Sequence, residues 1–108
     1  MELVCRLSML GSLPVLQLSG ELDLATLPKC RDQVLRAVNE STGATLYIDL
    51  DGLSALDDAG LGLLLGAAGR ARELGGDVVL VCAGERLRQR LALTGLDRAV
   101  TVQQQLAG

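Results

Sequence analysis

Two short apolar runs constrain this chain more tightly than any other feature. Thr45-Leu46-Tyr47-Ile48-Asp49-Leu50 and Val78-Val79-Leu80-Val81-Cys82 are rich in β-forming side chains and are apolar at consecutive positions, the first as far as its acidic end. That is the pattern of strands covered on both faces. Between them, Leu61, Leu64, Leu65, Ala68 and Ala71 or Arg72 recur at helical spacing, after Asp57-Asp58 and before Gly75-Gly76. A buried strand, a helix and a second buried strand predict a parallel pair joined by a right-handed crossover.

The flanking segments extend this unit. Leu3, Cys5 and Leu7 alternate with Val4 and Arg6, Gly11-Ser12-Leu13-Pro14 breaks the run, and Val15-Leu16-Gln17-Leu18-Ser19 follows, which predicts an opening hairpin. A first helix is expected with Thr26 as N-cap and Pro28 in its first turn. Leu27, Cys30, Arg31, Val34, Leu35 and Val38 share one face, and Ser41-Thr42-Gly43 ends it. Asp51-Gly52-Leu53-Ser54-Ala55-Leu56 is expected to be a loop. A short helix from Glu85 to Thr94 turns Leu87 and Leu91 inward and stops at Gly95, and Ala99-Val100-Thr101-Val102 supplies a last edge strand. The order β-β-α-β-α-β-α-β predicts an α/β fold, a mixed sheet of about five strands with helices packed against it. The 108 residues make one domain, taken as 1–108.

Composition removes several function classes. Lys+Arg 10 against Asp+Glu 13 gives a formal charge of -3, so no basic field exists to collect nucleic acid phosphates. Histidine is absent, which excludes triads and zinc sites built on it. Gly60, Gly62, Gly66 and Gly69 form no dinucleotide or P-loop motif, so no cofactor is expected. Asp49, Asp51, Asp57 and Asp58 are conceivable as a magnesium site of the receiver-domain kind, but such a site also resembles one that needs a lysine from the last strand. The single lysine, Lys29, lies in the first helix, so no metal is expected. With Ser54 the only hydroxyl near the acidic segment and no base to pair with it, the chain is not expected to be an enzyme. No apolar run reaches the roughly 18 residues of a membrane span, and MELVCRLSML lacks a secretory pattern, so a cytoplasmic protein without membrane insertion is expected. Cys5, Cys30 and Cys82 read as small buried hydrophobes, with a disulfide between Cys5 and Cys82 allowed if their strands are neighbours.

Two polar segments follow strands and should gather along one sheet edge: Gly20-Glu21-Leu22-Asp23, and Leu56-Asp57-Asp58-Ala59-Gly60-Leu61-Gly62 at the start of the second helix. Here the residues resemble a known family. GELD at 20–23, IDLDGLSALD at 48–57, GLGLLL at 60–65, ARELGG at 71–76 and TGL at 94–96 are, in order and spacing, similar to the STAS domain, and within it to stand-alone bacterial anti-sigma factor antagonists. The resemblance implies a partner-switching protein that binds an anti-sigma factor, itself a serine kinase with a histidine-kinase-like ATP fold, and so frees a sigma factor. It also implies a phospho-acceptor hydroxyl immediately before the glycine that opens the second helix. This chain has Asp57-Asp58-Ala59-Gly60 there, and Ala59 cannot accept phosphate.

Two consequences are open at this point. Either Ala59 keeps the docking face permanently in its binding-competent form, or Asp58 imitates phosphate and locks the protein off; the first is preferred because Asp58 stands one position early and carries half a phosphate's charge. Partner contacts are expected from Asp23, Asp57, Asp58, Ala59, Gly60, Gly62, Leu63 and Gly66. Asp57 should cap the helix, and Asp23 should touch the partner, brace Asp57-Asp58, or form an Asx turn. Gly62, Gly66 and Gly69 serve either close approach of another backbone or tight packing within the domain, and Leu63 is expected to be exposed beside them. Arg86, Arg88 and Arg90 with Arg98 give the third helix a basic side that either touches an acidic surface or, as the default expectation, is solvated. A rival reading is the STAS regulatory subunit of an ABC-type transport system, and a homodimer is compatible with either.

Overall fold

The computed structural model describes residues 2–106. The elements in order are β1 (Leu3–Leu10), β2 (Leu13–Leu22), α1 (Leu27–Glu40), β3 (Thr45–Leu56), α2 (Asp58–Glu73), β4 (Asp77–Val81), α3 (Glu85–Leu93), α4 (Leu96–Ala99) and β5 (Thr101–Gln103). The expected mixed α/β architecture is present. Five strands lie side by side in chain order, with β1 antiparallel to β2 and every other neighbour parallel. Because sheet order follows chain order, each right-handed crossover steps the same way and lays its helix on the same face.

The core confirms that layering. Leu46, Ile48, Leu50, Val78 and Leu80 from alternate sheet positions meet Cys30, Val34, Ala37 and Val38 of α1, Leu61, Leu64, Ala67, Ala68 and Ala71 of α2, and Leu91 and Leu96 beyond. Val15, Val79 and Val81 point the other way, and although they are buried they stand outside this core. Alternation thus gives the two central runs their continuous apolar character. On α1, Ala37 belongs to the buried set and Arg31 does not.

Several expected boundaries move. Residues 51–56, expected as a loop, continue β3, and Gly20-Glu21-Leu22 continue β2, because the two extensions pair with each other from Ser19↔Gly52 to Leu22↔Leu56. The pairing slips at two irregularities, between Gln17 and Ser19 and between Gly20 and Glu21, where the ladder bends. Gly20 has φ +101, and a Cβ there would run into the Glu2 carbonyl oxygen, so only glycine lets β1 approach at the bend. A four-residue helix, α4, occupies the segment after Gly95 and delays β5 to Thr101. The end of the expected domain, residue 1 and residues 107–108, lies outside the described residues.

The disulfide allowed between Cys5 and Cys82 does not form. β2 and β3 lie between β1 and β4, which holds the two cysteines apart, and all three cysteines are free. Cys82 is enclosed, and burial, reinforced by the Asp51 carboxylate, pushes its thiol above the ordinary range.

Candidate partner-binding site

The start of α2 is organised by Asp57. Its Oδ1 accepts the Gly60 N–H at 3.1 Å, the N-cap bond expected from sequence, and its Oδ2 accepts the Leu24 N–H at 3.1 Å. One carboxylate therefore ties the β2–α1 loop to the first turn of α2. The Asp57 N–H in turn donates to the Leu22 carbonyl at 3.2 Å. Leu24, held there by its backbone, is 72% exposed, and no pattern in the sequence marked it.

Asp23 is used differently. Its Oδ1 accepts from Ala25 N at 3.0 Å and Thr26 N at 3.1 Å, which is the Asx-type turn, and the Thr26 hydroxyl donates to the Glu21 carbonyl at 2.8 Å. Thr26 is the N-cap of α1 by position, but its side chain makes no cap bond because it is committed to this loop. Asp23 shapes the loop, and Asp57 is the brace between the two segments.

Asp58 turns toward α3. Its Oδ1 meets Arg90 Nη2 at 3.1 Å, an exposed pair outside the α1 side of α2. Of the two expectations for the basic side of α3, Arg90 follows contact with an acidic group and not the solvated default. The remaining aspartates of the conceivable magnesium site go to separate duties, with Asp51 Oδ1 accepting from Ala83 N at 2.8 Å and Gly84 N at 3.2 Å, and Asp49 Oδ1 accepting from Asp51 N at 2.9 Å.

On its other flank α2 forms a groove against α1. The groove encloses about 330 Å³ and is lined by Ala59, Gly62, Leu63, Gly66 and Ala67 on α2 and by Leu27, Arg31 and Leu35 on α1. The structure thus brings four of the expected contact residues together and leaves four outside: Asp23, Asp57 and Asp58 in the roles above, and Gly60 inside the fold. Gly60 is buried, and a Cβ there would stand 2.7 Å from Leu22 Cγ and from Leu56 Cδ1. It is a packing residue, contrary to its expected place on the surface.

Gly62, Gly66 and Gly69 behave oppositely, since a Cβ at any of them would meet nothing within 4 Å. Tight packing within the domain is therefore not their reason. Leu63 is half-buried and packs against the core, where an exposed residue was expected, and Leu65, assigned to the packed face, is 46% exposed. On a helix that turns about 100° per residue, the phase assigned from sequence was off by part of a turn. The α1 wall was missed as a site because Leu27, Arg31 and Leu35 read as ordinary members of a buried face. Their i, i+4, i+8 spacing opposite the glycines was the available signal.

A loop cap, an open glycine stripe and a groove against α1 thus border α2 on a five-stranded mixed sheet. The STAS domain family model matches residues 7–108. The chain belongs to the STAS domain family. It is similar to the anti-sigma-B factor antagonist of Listeria monocytogenes, 32% identical over 84 residues, 78% of this chain and 73% of the relative. It is also similar to the anti-sigma F factor antagonist of Lysinibacillus sphaericus, 30% identical over 82 residues, 76% of this chain and 70% of the relative. Among solved structures, an anti-sigma factor antagonist from Mycobacterium paratuberculosis superposes with a TM-score of 0.82 at 28% identity, covering 97% of this chain and 88% of that one.

Proposed function

We propose that this STAS chain is an anti-sigma factor antagonist: it docks on an anti-sigma factor through the α1–α2 groove and the Leu24 loop, and so frees a sigma factor. The observation that carries the reading is the open glycine stripe. Glycine in a helix interior costs about 1 kcal/mol relative to alanine, and at Gly62 and Gly66 nothing inside the chain uses the space that is left. Close approach of a partner backbone gives that space a use. The names of the similar antagonists support the same assignment.

In this reading the partner is a serine kinase with a histidine-kinase-like ATP fold, as the resemblance implies, and the chain itself performs no chemistry. Ala59 stands on the groove at the position where that resemblance puts a phosphorylated hydroxyl, and its methyl group cannot take phosphate. Docking is therefore constitutive, governed by the amount of the protein. The pairing of Asp58 with Arg90, directed away from the groove, argues against Asp58 as a phosphate mimic.

Gly62→Trp tests the surface. Titration of the variant against the anti-sigma kinases of its genome should show binding weakened at least about 100-fold, equivalent to about 2.7 kcal/mol, with an unchanged circular dichroism spectrum. Wild-type affinity in a folded Gly62→Trp variant would place docking elsewhere.

A further inference from the structure

The sheet has two edges, and they are unlike. β5, on one side, is three residues long, whereas β1, on the other, runs for eight, with no proline, no bulge in its pairing to β2 and a single charge, Arg6. A long, regular edge offers its free N–H and C=O groups to another strand. One bond fixes which groups are free. The Glu21 N–H donates to the Glu2 carbonyl at 3.2 Å, so Glu2 turns its backbone toward β2, and in an antiparallel ladder Val4, Arg6, Ser8 and Leu10 do the same. Leu3, Cys5, Leu7 and Met9 therefore turn theirs outward. Lys29 Nζ closes the start of the edge by donating to the Leu3 carbonyl at 3.3 Å. Cys5, Leu7 and Met9 are left open, on a strand where Val4, Leu7, Met9 and Leu10 are between 42% and 62% exposed.

We propose that β1 pairs antiparallel with β1 of a second copy about a twofold axis at Leu7, joining the two sheets into one. This register sets Cys5 against the partner's Met9, Leu7 against the partner's Leu7 and Val4 against the partner's Leu10, so every exposed apolar side chain of the strand meets another. Arg6 then lies opposite the partner's Ser8. The outward-turned pairs, Cys5 with Met9 and Leu7 with Leu7, exchange both their N–H···O bonds. Moving the axis to Arg6 would oppose two guanidinium groups, and moving it to Ser8 would set Leu10 against Arg6, so the side chains select one register.

The helix layer fits the same axis. α1 lies over β1 and β2, and with strands about 4.8 Å apart the second α1 comes to about 10 Å from the first, the distance at which helices pack. A hollow of about 380 Å³ separates Leu7 from the flank of α1 that carries Lys29, Asp32, Gln33, Arg36 and Glu40. The four charges alternate in sign, and among the described residues none of them is in an ion pair. A twofold axis reverses the row and brings acids against bases. Leu27, Arg31 and Leu35 stand on the other flank of α1, so both α1–α2 grooves stay open, and the proposal does not rest on what they bind.

Sedimentation equilibrium of the full chain under reducing conditions, with amide hydrogen exchange at high and low concentration, tests the pairing. A species of about twice 11.3 kDa is expected, and dilution should expose the amides of Cys5, Leu7 and Met9 to exchange while those of Val4, Arg6 and Ser8 stay protected. Two substitutions at the exposed Ser8 read the register by charge. Ser8→Arg opposes like charges twice by symmetry and should weaken the dimer about fivefold or more, whereas Ser8→Asp faces the partner's Arg6 and should tighten it severalfold. A monomer at about 1 mM would overturn the proposal, as would a dimer whose Cys5, Leu7 and Met9 amides exchange freely, or equal affinities for the two Ser8 variants. Protection of those amides only when an anti-sigma kinase is added would also overturn it, and would give the edge to that partner.

Discussion

Gly60 and Gly62 stand two residues apart on α2 and serve opposite ends. At Gly60 the missing side chain makes room for Leu22 and Leu56, whose atoms would lie 2.7 Å from a Cβ, so the glycine joins β2, β3 and the helix start. At Gly62, and one turn on at Gly66, the same absence leaves open space above a groove floored by Leu63 and Ala67. One face of the helix uses glycine to close the fold, and the other gives up helix stability with no return inside the chain. The contrast separates a glycine required by packing from glycines whose open space has no use within the chain, the feature on which the proposed docking rests.

The comparison can be broken most severely at the packed face. Gly60→Val should lower stability by about 2 kcal/mol through overpacking against Leu22 and Leu56, read as a fall in the urea midpoint at constant slope. Unchanged stability would mean that the packed face is loose and the contrast is false. Removing the brace comes next: Asp57→Ala should cost about 1–2 kcal/mol through the lost cap, with faster amide exchange at both Gly60 and Leu24, its two hydrogen-bond donors.

The open face should respond with the opposite sign. Gly62→Ala and Gly66→Ala should each stabilise the chain by about 0.5–1 kcal/mol, seen as higher melting temperatures, because the added methyl meets no neighbour. A destabilised Gly62→Ala would return these glycines to the interior. The smallest effect is expected across the helix, where Arg90→Gln removes an exposed ion pair with Asp58 and should change the urea midpoint by the equivalent of less than about 0.5 kcal/mol.

Much of this was legible in the sequence, for identifiable reasons. The hairpin, the helix and strand order and the Asp57 cap are local patterns, carried by alternation, helical spacing and one capping residue. The extension of β2 and β3 through Gly20-Glu21-Leu22 and 51–56 was not, because glycine-rich polar segments look like loops until Ser19 finds Gly52 across the sheet. The exchange of Leu63 and Leu65 shows that a helix with leucine at four of the six positions from Leu61 to Gly66, and glycine at the other two, hides its phase. The fixed, exposed position of Leu24 and the Asp58–Arg90 pair depend on contacts between segments distant in the chain, to which periodicity is blind.

The proposed docking face is one that phosphate cannot switch, and native mass spectrometry with candidate anti-sigma kinases of its genome and Mg-ATP tests that most directly. The wild-type chain should remain in complex with no gain in mass, whereas Ala59→Ser, which restores a hydroxyl at that position, should gain about 80 Da and leave the complex. A wild-type chain that acquires phosphate, or whose complex dissolves on adding ATP, would contradict it.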